Sequence, residues 1–229
     1  MRPYTILNAA MTLDGKIATK TGSSRISNER DVERVHKLRM KLDGIMVGIN
    51  TILVDDPKLT VRKLPNEETF THETFTEKIN PVRVVVDSYG RIPINSNVLN
   101  SDAKTIIATS NKILKNRKTF SLLKQKADVF ICGEKEIDLK RLMEYLYSKG
   151  IKTLMLEGGS TLSFSMFKEG LIDEVRICIG PIIVGGSHAK TLVDGDGFAF
   201  MESGVKLKMK NSYFLDECLI LEYFVKKSK

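Results

Sequence analysis

The stretch Leu154-Met155-Leu156-Glu157-Gly158-Gly159-Ser160-Thr161-Leu162 constrains the fold more than any other part of the chain. Three apolar residues passing through Glu-Gly-Gly into small hydroxyl residues describe a buried strand that runs straight into a helix. Two glycines at such a turn permit positive φ and let a ligand approach the backbone closely. The helix start offers unpaired N–H groups at the positive end of its dipole, which together favour a phosphate. Ser160 and Thr161 add hydroxyl donors. An ordinary tight strand-to-helix turn needs the same residues, so the motif alone leaves both readings open, but either one requires strands that alternate with helices.

The rest of the chain has that alternation. Strands are expected over 4–9, 43–48, 82–86, 105–108, 129–132, 154–156 and 175–179. Helices are expected over 28–42, briefly from Asn50 until Pro57 halts it, over 138–149, and after Gly159. Asn28 with Asp31 three residues on resembles a capping-box start. Runs such as Val84-Val85-Val86 do not alternate, as in parallel strands covered on both faces. By contrast, 205–214 and 218–225 alternate around Leu215-Asp216-Glu217, as an antiparallel hairpin would. The expected class is α/β: a mixed, mostly parallel sheet flanked by helices, with an antiparallel C-terminal hairpin, in a single domain over 1–229. The Thr-, Glu- and Asn-rich interval 64–81 reads as a surface excursion within it.

Several function classes are disfavoured. The apolar run 175–184 is short for a membrane span and is broken by Arg176, Gly180 and Pro181. Asn8, Asp14 and Lys16 interrupt the apolar N-terminal stretch, so a cytoplasmic protein without a membrane partner is expected. Cys132, Cys178 and Cys218 have neither zinc nor disulfide spacing and read as buried thiols. His36, His72 and His188 are scattered, so no metal is expected, and no Ser/His/Asp, HExxH or P-loop pattern occurs. A net charge of +8 and a pI near 9.3 invite nucleic acid. The charge is dispersed, however, and aromatics are only 7% with no Trp, which leaves no platform for stacking bases. Binding of anionic small-molecule phosphates explains the excess more economically than nucleic acid.

Three more strand ends carry polar residues and glycine: Gly48-Ile49-Asn50-Thr51 leading to Asp55-Asp56-Pro57, Val86-Asp87-Ser88-Tyr89-Gly90-Arg91, and Cys132-Gly133. Such ends at the carboxyl side of neighbouring strands form the usual ligand crevice of an open α/β sheet. Ser88 and Arg91 suit an adenosine ribose or its 2′-phosphate, and Gly133 joins the cofactor candidates. Asp56 reads as a helix end. On the first long helix Val32, Val35, Leu38 and Leu42 make an apolar stripe, with Arg39 beside it. A guanidinium at the core edge needs an anion, either an internal carboxylate or a ligand phosphate.

Together these segments resemble the reductases of riboflavin biosynthesis, specifically the stand-alone archaeal and fungal type. The resemblance covers nearly the whole chain. It rests on Ala10-Met11-Thr12-Leu13-Asp14-Gly15-Lys16-Ile17-Ala18, on Ser27 through Arg39, and on Gly48 through Arg62 with its Asp55-Asp56-Pro57-Lys58-Leu59-Thr60 string. Val86-Asp87-Ser88, Glu157-Gly158-Gly159 and Pro181-Ile182-Ile183-Val184-Gly185-Gly186 complete it. The resemblance implies a dihydrofolate-reductase-like fold, a homodimer, and NADPH as cofactor with NADH as the alternative. It also implies reduction of 2,5-diamino-6-ribosylamino-4(3H)-pyrimidinone 5′-phosphate, with hydride delivered to sugar C1′ of the opened imine. By this resemblance Thr51, Asp55, Ser88, Gly158, Gly159, Ser160 and Thr161 hold the cofactor. Ser23, Arg39, Leu59, Arg62 and Glu157 hold the substrate, and Arg39 and Arg62, with Ser23, take the ribose phosphate. Glu157 is the candidate for orienting the pyrimidine amino groups or relaying a proton, with Asp55 and Lys16 behind it. The His-x-Glu and Pro-Cys-x-x-Cys strings of the bacterial zinc deaminase domain are absent from this sequence. Dihydrofolate reductase is the nearest enzyme alternative, and a nucleotide- or RNA-binding module is the alternative of another class.

Overall fold

A computed structural model describes residues 1–61 and 80–227. The expected excursion over 64–81, with His72, falls almost wholly outside them, as does Arg62. The chain divides into two compact units, Met1–Pro3 with Glu33–Leu154, and Tyr4–Val32 with Met155–Lys229.

The first unit is built on β2 (Gly44–Gly48), β3 (Val82–Val86), β4 (Thr105–Thr109) and β5 (Asp128–Ile131), in the order β5-β4-β3-β2 with every pair parallel. Ile45, Met46, Val47, Val84, Val85 and Ile107 are all sealed from solvent, so the uninterrupted apolar runs do mark strands covered on both faces. Helices α2 (Ile49–Asp55), α3 (Arg117–Lys124) and α4 (Leu139–Ser148) belong to this unit. Helix α4 starts at Asp138, whose side chain accepts from the Arg141 N–H, and it buries Leu139, Leu142, Met143 and Leu146. Helix α3 was not expected; its sequence reads only as a basic stretch.

One buried cation organises the loops of this unit. Arg83, on β3, is fully buried. Its Nε donates to Thr105 Oγ1 at 2.9 Å, and its guanidinium reaches Asn100 Oδ1 at 2.8 Å, Asn100 O at 2.7 Å, Asn97 O at 3.4 Å and the Ala103 carbonyl. Burial pulls the guanidinium below its ordinary pKa, and five oxygens replace the lost water, as a buried charge requires. The segment 97–103 is thereby tied to the sheet.

The second unit contains β1 (Tyr4–Thr12), β7 (Glu174–Gly180), β8 (Leu207–Leu215), β9 (Cys218–Val225) and most of β6 (Thr153–Gly158), in the order β6-β1-β7-β9-β8. β1 pairs with β7 in parallel, whereas β7 with β9 and β9 with β8 are antiparallel. The expected hairpin is present and turns at Asp216, which takes a left-handed φ of 52°. Only β9 alternates cleanly in burial, because β8 lies exposed along most of its length. Helix α5 (Ser160–Lys168) buries Leu162, Phe164 and Met166.

Helix α1 (Glu29–Lys41) begins in the second unit and continues into the first. Asn28 Oδ1 accepts from the Asp31 N–H at 2.9 Å, while Asn28 Nδ2 donates to Leu215 O at 2.8 Å, so one side chain starts the helix and holds the hairpin. The buried face differs from expectation. Val32 is 40% exposed, whereas Asp31, His36, Leu38 and Leu42 are buried, so the face starts one residue earlier.

Candidate active site

In the first unit α2 follows β2 directly, with Gly48 in extended conformation ahead of it and no side-chain cap. Thr51 is half-buried on this helix, and desolvation raises the Asp55 carboxyl above the ordinary aspartate value. Asp56 closes the helix in the left-handed region at φ 37°, and its N–H returns to Ile52 O. Its side chain does more than end a helix. Oδ1 accepts from the Asn97 N–H at 2.9 Å, while Asn97 Nδ2 donates to Asp56 O at 2.9 Å and to Oδ2 at 3.0 Å.

The segment leaving Asp56 is therefore clasped to the loop that Arg83 anchors. It passes through Leu59, which is buried with φ 51°, a conformation that costs a leucine of order 1 kcal/mol or more. Arg39 Nη1 then donates to Thr60 O at 2.9 Å, and Asn80 Oδ1 accepts from the Val61 N–H at 2.9 Å. The structure thus brings Arg39 and Leu59 together, and a backbone carbonyl takes part of the anionic role the sequence assigned to a carboxylate or a phosphate.

The carboxyl ends of β3, β4 and β5 also adjoin. The Ser88 carbonyl accepts from Ser110 Oγ at 2.6 Å, and the Asn111 N–H donates to Gly133 O at 2.9 Å. Ser88 itself is half-buried. The neighbouring Asp87 carboxyl is fully buried, and burial raises its pKa against the N–H groups of Ile92 and Tyr89 that it accepts. Gly133 has a local reason to be glycine. At φ +120° an added Cβ would lie 1.9 Å from Glu136 O.

In the second unit the Glu157–Thr161 turn has the expected form. Glu157 and Gly158 end β6, Gly159 takes φ 94°, and α5 opens at Ser160 with no side-chain cap, which leaves the first-turn N–H groups to an outside acceptor. A dinucleotide phosphate therefore fits the backbone here. The Ser160 hydroxyl has another use. The residue is buried, and Oγ donates to Asp194 Oδ2 at 2.7 Å. Asp194 Oδ1 accepts from Thr191 Oγ1 at 2.5 Å, and Lys190 Nζ stands 3.9 Å from Oδ2. Although burial opposes it, these partners hold the Asp194 carboxyl below its usual range. Gly195, at φ +118°, packs where a Cβ would meet the Phe164 ring at 2.8 Å. Asp194 was missed in the sequence; its only signal was the Gly-rich Asp194-Gly195-Asp196-Gly197 string. Thr161 is exposed.

The Leu13-Asp14-Gly15-Lys16 string is a latch. Asp14 accepts from the Thr12 hydroxyl at 2.6 Å and from the N–H groups of Gly185 at 2.8 Å and Val184 at 3.3 Å, and these bonds lower its pKa. Lys16 Nζ donates to Ala189 O at 3.3 Å. Ser23 is exposed at the end of a turn in which its N–H donates to Thr19 Oγ1. Among the described residues no group of three or more His, Cys, Asp or Glu could hold a metal ion.

The profile of the RibD C-terminal domain matches residues 3–221. The chain belongs to that family. It is 53% identical over 229 residues, 99% of this chain and all of the other, to the Methanothermobacter thermautotrophicus protein named 2,5-diamino-6-ribosylamino-4(3H)-pyrimidinone 5′-phosphate reductase. The RibD structure of Acinetobacter baumannii superimposes with a TM-score of 0.80 at 27% identity over 98% of this chain; this chain spans 58% of that longer protein. Enterococcus faecalis dihydrofolate reductase shares the fold alone, with a TM-score of 0.51 at 11% identity over 98% of this chain and 97% of the other. The dihydrofolate-reductase-like expectation therefore holds.

Proposed function

We propose that this protein reduces 2,5-diamino-6-ribosylamino-4(3H)-pyrimidinone 5′-phosphate to its ribitylamino product with NADPH. The observation that carries this reading is the full-length, 53% identity to a reductase of that name. The uncapped start of α5 behind Gly159 adds a fitting seat for the cofactor phosphate. Thr51, Asp55, Ser88 and the Gly158–Thr161 backbone would hold the cofactor, with Ser160 acting through Asp194. The dihydronicotinamide supplies the hydride, taken up at sugar C1′ of the ring-opened substrate.

The chain's own residues then bind, orient and exclude water. In this reading Arg39 takes the ribose phosphate while steadying Thr60 O; Arg62, outside the described residues, is the proposed second cation, and Ser23 the proposed hydroxyl. Leu59 offers an apolar wall. Glu157, half-buried at the end of β6, orients the pyrimidine amino groups or carries a proton to the opened sugar. If Glu157→Gln keeps kcat near wild type across the pH range, the proton role is withdrawn. A homodimer in the cytoplasm completes the reading. Among the described residues no helix is long and apolar enough to cross a membrane.

The deciding experiment follows NADPH oxidation with the diamino pyrimidine and, in parallel, its deaminated counterpart. Turnover with the diamino compound is expected, and oxidation with neither would end the assignment.

A further inference from the structure

The connection between β7 and β8, residues 181–206, contains one short helical turn, Met201–Ser203, and is far longer than the usual link of about 4–6 residues. Loops of that kind inside a packed domain are uncommon and mostly functional. This one is fastened to two places in its own unit, the 12–17 string and the start of α5. At the near end Asp14 accepts from the N–H groups of Val184 and Gly185, and the Leu13 N–H donates to Ile182 O at 2.9 Å. In the middle the Ile17 N–H donates to Lys190 O at 2.9 Å, and Lys16 pairs with Thr191 in an antiparallel bridge. At the far end Asp194 grips Ser160 twice. Its carboxylate accepts from Ser160 Oγ at 2.7 Å, and its N–H donates to Ser160 O at 3.3 Å. The Thr191 hydroxyl donates to Asp194 Oδ1, which joins the middle to the far end. Beyond it Phe198 packs edge-on against Phe164 of α5, with ring centres 5.4 Å apart.

We infer that the segment 182–194 is a strap that ties the α5 turn to the 12–17 string, with Asp14 and Asp194 as positioning residues at its two ends. A serine hydroxyl has one proton, and that of Ser160 is committed to Asp194. The seat at α5 is therefore left to backbone N–H groups, whose aim depends on where the first turn points. A turn held in place before a ligand arrives has less ordering to do on binding. The strap extends that hold to a distant residue. Asp14 bonds to Thr12, Val184 and Gly185, none of them on α5, yet it secures the near end of the segment whose far end holds Ser160. As to what the turn receives, this rests on the dinucleotide reading above; the mechanical link does not.

Hydrogen exchange read by mass spectrometry and calorimetric titration with NADP⁺, both on the intact protein, test the link. Asp14 is exposed, so Asp14→Ala is expected to fold. It is expected to speed exchange at 182–186 and also at the first turn of α5, and to weaken NADP⁺ binding about threefold or more. Asp194→Ala is expected to weaken it about tenfold, and Asp194→Asn, which keeps one acceptor oxygen, to restore part of the loss. The double variant Asp14→Ala, Asp194→Ala is expected to lose less than the product of the two single losses, since a strap released at one end no longer transmits from the other. Faster exchange confined to 182–186, NADP⁺ affinity unchanged in both alanine variants, or losses that multiply in the double variant would each overturn the strap. Should Asp194→Ala not fold, Asp14→Ala decides alone. Coupled exchange in a protein that binds no NADP⁺ sustains the strap and overturns the dinucleotide reading.

Discussion

Gly133 shows how one residue type can answer two needs that the sequence does not separate. A strand end followed by glycine suits a phosphate, and it equally suits a chain that must pass Glu136 O at a distance no side chain tolerates. Gly133→Ala is therefore expected to cost more than about 2 kcal/mol, combining clash with strain, and to lower the urea midpoint accordingly. Asp56 is the converse case. Next to Pro57 it reads as a helix end, which it is, but its clasp on Asn97 spans 41 residues and no local pattern encodes it. Asn97→Ala removes the two side-chain hydrogen bonds to Asp56, keeps the one from its backbone N–H, and is expected to lower stability by about 1–3 kcal/mol in denaturant unfolding. For Arg39 the sequence identified the need for a partner, and the fold supplied Thr60 O. Arg39→Ala is expected to raise KM for the phosphorylated pyrimidine by about tenfold or more, with the cofactor Kd unchanged in direct titration.

Among the elements, the parallel strands were legible because burial on both faces leaves an uninterrupted apolar run, and the hairpin was legible from β9. On α1 the expected Leu38 and Leu42 are buried, but the start of the face was misplaced because periodicity counts only apolar types and Asp31 is a buried carboxylate. Charge inside an element also matters in β7. Glu174 accepts from Arg176 Nε and from Lys210 Nζ, each at 2.7 Å, and from the Tyr4 hydroxyl at 3.1 Å, so it links β1, β7 and β8. Burial pushes its carboxyl up, but the two cations outweigh that and leave it below the ordinary glutamate value, while the Tyr4 phenol is pushed up to about 12. A depressed folded-state pKa means the native state binds fewer protons than the unfolded chain. The stabilisation is therefore complete above the unfolded glutamate pKa and disappears as pH falls through the folded one. Glu174→Gln is expected to lower Tm at neutral pH, and to flatten the loss of stability below about pH 4.5 in melts run across the acid range.

For the molecule as a whole, the family match spans residues 3–221, so its signal is spread along the chain and does not come from the net charge of +8. Both the strand-to-helix turns and the latch strings were legible there. What was not legible was how Ser160 is used, because Asp194 lies 34 residues further on. The second unit also leaves an open edge. β8 and β9 expose Leu207, Met209, Phe224 and, at 70%, Phe214, an apolar border of the kind a second chain covers. Sedimentation is expected to give a dimer that the double variant Met209→Glu, Phe214→Glu converts to monomer. A monomeric wild type would remove the homodimer from the proposal.

The three thiols provide an intrinsic clock for each half of the molecule. Cys132 lies in the first unit, its thiol pushed up to about 11 chiefly by burial, while Cys178 and Cys218 share a sealed cluster with Ile220 in the second. An alkylating reagent does not reach a thiol buried inside a packed sheet, so each labelling rate measures how often its own unit opens. Comparing mass-resolved labelling of Cys132 with that of the Cys178–Cys218 pair, with and without nucleotide, would time the breathing of the two units separately in one native, unmodified chain.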